Sequence, residues 1–474
     1  MLTISVAIQA LTGVKPHGDD RLIRDAVIDS RHSTPGSMFI ALPGENVDGH
    51  AFIAEAFSRG ASVALIDQQH PGEFTTIDLR HDWHAEQPLE IGDSKVCLLV
   101  EDSLEAMQKI ARFWRRQLDV EVIGITGSVG KSTTKEVVAE VLSRRYRTLK
   151  SPGNLNNEIG LPLTLLKLKN DHERAVLEMG FYIPGEIDFL CDIALPKVGV
   201  VTNVGTVHAE RAGTIEDIAR GKSELVKSLP SEPEGLAILN YDDPLVKEMA
   251  KVTEARVFSY GMNPRADLWA DEVVGLGLDG IRFKLHFRNE VIHLRVPLIG
   301  RHSVHTALRA AAVGLNDGLS WQGIVDGLQS RKTQLRLVAV RTESGAIILD
   351  DTYNASPEST MAALNLLEDL DGNKIAVLGD MLELGQYERQ GHELVGARVA
   401  EVADELVVIG EKSKWTASSA ARAGLNPDKI SEFVAAEETI DYLKDRLQAN
   451  DVVLVKGSRG MQMEVIVTAL ETEQ

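Results

Sequence analysis

The sequence predicts an α/β protein of three domains: an N-terminal α/β domain, a central doubly wound sheet and a Rossmann-like C-terminal sheet. Three observations carry this expectation. At 474 residues the chain is too long for a single hydrophobic core. Short β-branched runs alternate with helical periodicities, as in parallel sheets joined by crossover helices. A glycine-rich turn also joins one such run directly to a helix, the commonest way a doubly wound sheet presents a ligand site.

The first segment, residues 1–98, mixes short strands with turns. Ser37–Leu42 reads as a strand ended by Pro43-Gly44, Ala51–Arg59 as a helix and Ala61–Ile66 as a second strand. The middle segment, residues 99–332, opens with a helix over 103–117, where Leu104, Met107, Ile110, Ala111 and Trp114 recur on one face. Val120–Thr126 follows as a buried parallel strand, with further strands at Ala175–Met179, Val198–Val204 and Leu236–Asn240. Ile281, Phe283, Leu285 and Phe287 alternate with polar residues, which predicts an antiparallel addition with one wet face, and Ser303–Leu315 reads as a helix. The last segment, residues 333–474, repeats the alternation with strands at Ala346–Leu349, Ile375–Leu378, Glu405–Ile409 and Val452–Val455 and a helix over Ser359–Leu370.

Composition removes several classes of function. A formal net charge of −20 disfavours binding to nucleic-acid polymers, which needs basic faces, but leaves a small phosphorylated ligand open. No run of about 18 apolar residues occurs, so no membrane helix is expected. The N-terminal stretch lacks a basic start and a small-residue cleavage site, and Cys97 and Cys191 stand far apart, so a cytoplasmic protein without disulfides is expected.

The strongest motif is Thr126-Gly127-Ser128-Val129-Gly130-Lys131-Ser132-Thr133, placed between a predicted strand and a helix. There, glycines let the backbone wrap phosphates, helix N–H groups face them, Lys131 supplies charge and Ser132 offers a hydroxyl to Mg²⁺. Ile125 stands where the strict consensus has glycine. The motif points to a nucleoside triphosphate and leaves GTPase, kinase and ligase chemistry open.

Further segments resemble the Mur ligase family, which builds the peptide stem of the bacterial cell-wall precursor. They are the loop itself, Ser151–Pro162 with Asn154, Asn156 and Asn157, Leu177–Gly180, Asn203–His208 and Gly221–Glu224. Asp350–Pro357, Leu378–Gly385 and Lys456–Arg459 resemble the branch that couples D-alanyl-D-alanine to UDP-N-acetylmuramoyl-tripeptide. The branch adding the third amino acid typically shows an Asp-Asn-Pro-Arg-like motif and a Gly-Lys-Gly-His-Glu ending, and neither occurs. A folate-type polyglutamate ligase and a nucleotide-binding scaffold without catalysis are weaker readings, given the long N-terminal domain and the presence of Lys131, Ser132, Glu178 and Lys222.

The resemblance implies an ATP- and Mg²⁺-dependent carboxylate–amine ligase, expected to be monomeric, whose N-terminal domain holds the UDP end through Ser30, Arg31, Gly44, Asp48 and His50. It implies ATP contacts from Thr126, Gly127, Ser128, Val129, Gly130, Lys131, Ser132, Thr133, Asn240, Arg336 and Asp351. Mg²⁺ falls to Ser132, Glu178, His208 and Lys222, the last as a carbamate, with Lys131, Lys222 and His208 taken as catalytic. Substrate contacts fall to Asn154, Asn156, Asn157, Asn354, Lys456, Ser458 and Arg459. Each has a bland alternative on its own residues. Glu178 can be a solvated acid, His208 a packed histidine, Lys222 a lysine on a helix face, and the asparagines turn formers. Two departures stand out. The family's Gly-x-His-Asn-x-x-Asn is Gly300-Arg301-His302-Ser303-Val304-His305-Thr306 here, without either asparagine, and Phe181-Tyr182-Ile183-Pro184 is atypical after Glu178.

Overall fold

The computed structural model describes residues 1–18, 20–44, 47–69, 74–80, 89, 91–330 and 338–471. Arg336 and the junction around it lie outside the described residues. Three sheets form, of five, nine and six strands. The chain divides into two compact units, residues 1–124, 146–180 and 186–198 in one, and 125–145, 181–185 and 199–474 in the other.

The first sheet, wholly in the first unit, contains β1 (Asp25–Val27), β2 (Ser37–Ile40), β3 (Val63–Ile66), β4 (Thr75–Asp78) and β5 (Val96–Leu99). Its order is β1-β2-β3-β5-β4 and every pairing is parallel. Strands β2, β3 and β5 are buried at every residue, which is why their sequences are continuous apolar runs rather than alternating ones. Helices α1 (Ile4–Thr12), α2 (Ile53–Ser58) and α3 (Ser103–Arg116) belong to the same unit. The helix expected from Ala51 begins instead as a 3₁₀ turn, Gly49–Phe52, because the Asp48 side chain caps the His50 N–H and tightens the entry. Helix α3 buries the expected stripe, including Met107, Ile110, Ala111 and Trp114, and Asp102 caps its start.

The central sheet is built from β6 (Glu121–Thr126), β7 (Thr148–Lys150), β8 (Arg174–Glu178), β9 (Val198–Val201), β10 (Leu236–Asn240), β11 (Arg256–Gly261), β12 (Leu268–Gly275), β13 (Ile281–Phe287) and β14 (Glu290–Val296), in the order β14-β13-β12-β11-β10-β9-β6-β8-β7. Strands β10, β11 and β12 run parallel, then β12, β13 and β14 form an antiparallel meander. Along β13, Ile281, Phe283 and Leu285 are buried beside exposed Arg282, so the predicted wet face is present. The helices are α4 (Lys131–Leu142), α5 (Gly160–Leu166), α6 (Glu186–Ala194), α7 (Ala209–Ala212), α8 (Ile215–Lys227), α9 (Pro244–Glu248), α10 (Val304–Asn316) and α11 (Trp321–Leu328).

The third sheet consists of β15 (Val338–Arg341), β16 (Ile347–Asp350), β17 (Asn373–Gly379), β18 (Glu405–Ile409), β19 (Ile430–Phe433) and β20 (Asp451–Lys456), in the order β15-β16-β20-β17-β18-β19. Only β15 is antiparallel to its neighbour. One face packs on α12 (Pro357–Glu368), α13 (Glu388–Val402) and α14 (Ser413–Arg422), the other on α15 (Ala436–Arg446) and α16 (Glu464–Leu470). Helix α12 starts two residues before Ser359 because Ser356 and Ser359 form a capping box around Pro357.

Arg115 is the least expected core residue of the first unit. Its buried guanidinium donates to Ala194 O at 2.8 Å, Leu118 O at 3.0 Å and Val120 O at 2.7 Å, tying the ends of α3 and α6 to the start of β6. Arg115→Ala leaves these buried acceptors unpaired and is expected to lower stability by about 2–4 kcal/mol. Chemical unfolding followed by tryptophan fluorescence checks this; a midpoint unchanged from wild type would show that water replaces the guanidinium.

Candidate active site

The loop between β6 and α4 is a preformed phosphate cradle. Gly127 and Gly130 take φ of 144° and 84°, which side chains resist. A Cβ on Gly127 would stand 1.8 Å from Thr202 Oγ1, so only glycine fits. That hydroxyl donates to Val129 O at 2.7 Å, Asn203 Nδ2 donates to the same oxygen at 3.2 Å, and the Val129 N–H donates to Asn203 Oδ1 at 2.8 Å. Ser128 Oγ accepts from Gly205 N–H at 2.8 Å. The loop is thus pinned from outside, and the N-terminus of the 12-residue helix α4, the end that favours anions, opens directly from it. Lys131 Nζ lies over the loop, donating to Gly127 O at 2.8 Å.

A cavity of about 340 Å³ opens on this cradle, within the size range of small-molecule sites. Ser128, Val129, Gly130, Lys131, Ser132 and Thr133 line it together with Asn240, Asp351, Asn354 and Lys456. Asn240 also braces the cradle, donating to Thr202 O at 3.1 Å. Lys456, at the end of β20, is buried and donates to Asp351 Oδ2 at 2.6 Å and Asn354 O at 2.8 Å. Ser458 Oγ accepts from Leu382 N–H at 2.8 Å and holds the loop after β17. Arg459 is exposed, its guanidinium near Glu464 and the Tyr353 ring. Sequence motifs more than a hundred residues apart therefore converge on the phosphate loop.

His208 and Lys222 occupy the same unit. Lys222, on α8, is 1% exposed with Nζ 4.7 Å from the centroid of Phe181. Burial, reinforced by the Lys131 charge, holds its amine well below the ordinary lysine range. His208 Nδ1 meets Glu383 Oε2 at 2.6 Å. Burial and then the Lys131 charge push His208 down to about 4 against the pull of Glu383, so at neutral pH this contact is a hydrogen bond from a neutral imidazole rather than an ion pair. Both residues have left-handed backbones, φ 66° for His208 and 63° for Glu383, an uncommon conformation for non-glycine residues and one that gathers at functional sites.

Other implied residues lie in the first unit. Glu178, at the carboxyl end of β8, is 1% exposed and accepts from Asn156 Nδ2 at 2.9 Å. Asn157 Oδ1 caps the Gly160 N–H, its bland turn role, and Asn154 is exposed. Near the ends of β1 and β2, Ser30 donates to Glu55 at 2.8 Å, while Arg31 is exposed and pairs with Asp29. Gly44 N–H donates to Val47 O at 3.1 Å, and His50 is locked between Asp48 at 2.7 Å and Asp67 at 3.1 Å. Among the described residues no three His, Cys, Asp or Glu side chains form a ready metal cluster. A hydroxyl, a carboxylate and phosphate oxygens are nonetheless the donor chemistry Mg²⁺ takes, since it keeps several waters and few protein ligands. Sequence reasoning passed over Thr202, Asn203, Glu383 and Arg309 as site residues. Asn203 and Glu383 sat inside motifs already singled out; Arg309 was visible as the lone charge in the apolar run Ala307–Val313.

Fold and cradle together define a phosphate-loop α/β protein whose C-terminal sheet contributes to the nucleotide-sized cavity. Family descriptions match it in three parts: Mur ligase family, catalytic domain, over residues 23–115; Mur ligase middle domain over 125–314; and Mur ligase, glutamate ligase domain, over 335–459. The chain belongs to the Mur ligase family. It is 34% identical to the UDP-N-acetylmuramoyl-tripeptide–D-alanyl-D-alanine ligase of Bacillus subtilis, covering 97% of this chain and 95% of the relative. Identity to the enzyme of the same name from Escherichia coli is 31%, covering 99% of each. Among solved structures, MurF from Acinetobacter baumannii superposes with a TM-score of 0.82 at 31% identity, covering 98% of both chains. MurF ligase from Thermotoga maritima in complex with ADP gives 0.77 at 28% identity, covering 97% of both.

Two outcomes follow from this geometry. Gly127→Ala is expected to break the Thr202 tether and weaken ADP binding at least about tenfold, by calorimetry, in a folded protein; unchanged affinity would show the loop does not need its left-handed turn. The second concerns His392, which is fully buried on α13. It accepts from Met381 N–H at 3.0 Å through Nε2 and meets Glu388 O at 2.8 Å through Nδ1, so its neutral form holds the loop after β17. Burial lowers its pKa below the ordinary ~6.5, so the unfolded chain takes up the proton first and stability falls as pH drops through that value. Unfolding midpoints between neutral and mildly acidic pH should fall less steeply for His392→Gln, and equal slopes would contradict the assignment.

Proposed function

We propose that the chain is an ATP-dependent ligase that adds D-alanyl-D-alanine to UDP-N-acetylmuramoyl-tripeptide in peptidoglycan precursor synthesis. The observation that carries this reading is the convergence of Lys131 and Ser132 with Asp351, Asn354 and Lys456 around one cavity. A phosphate loop alone leaves the reaction open, whereas these C-terminal residues belong to the motifs that resemble the dipeptide-adding branch.

In the proposed reaction a carboxylate oxygen of the tripeptide attacks the γ-phosphorus of ATP, the bond to the β-phosphate oxygen breaks, and an acyl phosphate and ADP form. The dipeptide amine then attacks the acyl carbon, loses a proton and expels phosphate. Lys131 and the α4 N–H groups stabilise charge on the transferring phosphoryl group. Ser132 and Glu178 are the proposed Mg²⁺ ligands, with His208 and carbamylated Lys222 as further ligands; the ion supplies charge neutralisation at the phosphates. Carbamylation needs a neutral amine, and burial beside Lys131 favours that form of Lys222. Asp351 and Asn240 are assigned to ATP; Asn154, Asn156, Asn157, Asn354, Lys456, Ser458 and Arg459 to the peptide substrates; Ser30, Arg31, Gly44, Asp48 and His50 to the UDP end. The domain limits taken here are 1–98, 99–332 and 333–474, and the protein is read as a cytoplasmic monomer. Among the described residues no helix is long and apolar enough to cross a membrane.

ADP release is expected to require the tripeptide nucleotide, D-alanyl-D-alanine and Mg²⁺ together, and equal turnover with a single free amino acid would favour the branch that adds the third residue. Lys131→Ala should lower kcat at least ~100-fold in a folded protein. Lys222→Ala should lose activity and regain part of it with added short-chain carboxylates; full activity of that variant, with an unmodified Lys222 by mass spectrometry of the wild type, would remove the carbamate from the scheme.

A further inference from the structure

Arg309 lies on α10, in the segment whose family asparagines are replaced by Ser303 and Thr306. It is 5% exposed, yet it lines the cavity that holds the phosphate loop. Its Nε donates to His305 O at 2.9 Å and its Nη2 to Thr306 Oγ1 at 3.3 Å, while Nη1 has no hydrogen-bond partner among the described residues. Both terminal nitrogens face the cradle: Nη1 stands 3.4 Å and Nη2 3.7 Å from where a Cβ on Gly130 would be. The aromatic ring of Tyr260 lies 5.8 Å from the guanidinium carbon, and the neighbouring His305 side chain also leaves Nδ1 unpaired. No carboxylate balances the charge among the described residues.

A buried guanidinium without an acid is an unfavourable arrangement for a protein that only has to fold, because desolvation is not offset by a paired charge. It is a favourable one for a protein that takes up a polyanion beside it. We propose that Arg309 is a positioning residue for the nucleotide: its charge, held behind Gly130 by His305 and Thr306, is balanced by the phosphates of the bound nucleotide and fixes their place on the loop. The replacement of the second family asparagine by Thr306 fits this role, since the threonine hydroxyl accepts from the guanidinium and aims it. The inference rests on the reading of the cavity as an ATP site and adds to it a cation that the phosphate-loop motif does not contain.

The test compares wild type, Arg309→Met and Arg309→Lys, using ADP and adenosine as probes by calorimetry and thermal unfolding without ligand. Arg309→Met should bind ADP roughly tenfold or more weakly while adenosine affinity changes less than about twofold, and Arg309→Lys should recover part of the loss. Without nucleotide, Arg309→Met should melt no lower than wild type, because methionine fills the space without an unbalanced charge. Unchanged ADP affinity in a folded Arg309→Met protein would overturn the proposal. So would equal losses for ADP and adenosine, or a variant that unfolds without ligand, since either makes the guanidinium a structural brace. Wild type that binds no ADP at all would instead overturn the ATP reading, and the inference with it.

Discussion

Basic side chains buried with few carboxylates to match them are the constraint on which the active-site unit depends. The chain carries a net charge of −20, yet Lys222, Lys456 and Arg309 are each 5% exposed or less. Lys456 alone of these has a carboxylate partner among the described residues, Asp351 at 2.6 Å. Lys222 rests on an aromatic ring and Arg309 on a carbonyl and a hydroxyl. Burial first, and then the Lys131 charge, holds the Lys222 amine well below its ordinary range and pushes His208 down to about 4. A tetra-anionic nucleotide is the kind of ligand that relieves this arrangement, so binding energy and electrostatic strain have one origin.

The cradle itself is held by groups outside the motif that names it. Val129 O accepts from both Thr202 and Asn203, so the tip of the loop is fixed by the residues just after β9. Such preorganisation matters because donors already in position need no rearrangement as phosphoryl charge develops. Loop and neighbouring strand end must therefore fit as a pair: a side chain at Gly127 would displace Thr202, and the loop would lose one of its tethers.

Much of this was legible in the sequence, for physical reasons that differ by element. Strands β2 and β3 are buried on both faces and so appear as apolar runs, and α3 shows its buried stripe as a 3.6-residue period. The phosphate loop was readable because its glycines and lysine are required by backbone shape and charge. Strands β1, β4, β5, β7, β15 and β19 were not foreseen: they are only three or four residues long, and β4 and β19 have little buried surface to write a pattern; β11, β12 and β14 were also missed. Roles that depend on tertiary partners were equally hidden. Nothing in the local sequence shows that His50 is clamped by Asp67, that Arg115 serves the last carbonyl of α6 and two between α3 and β6, or that Arg309 faces Gly130.

The contacts between the third sheet's loops and the segment after β9 differ in kind from those within either sheet. Glu358 accepts from the Thr206 N–H at 3.1 Å, Glu383 meets His208 at 2.6 Å, and Tyr387 Oη accepts from Ile215 N–H at 3.3 Å. The apolar clusters of the third sheet, by contrast, draw their buried members from residues 346–470 alone. Polar contacts at a partly exposed seam contribute little net stability, because water satisfies the same groups when they part. The left-handed backbones of His208 and Glu383 further reduce what that contact yields. A seam of this kind sets where Glu358 and Glu383 stand relative to Thr206 and His208 while adding little to the free energy of folding.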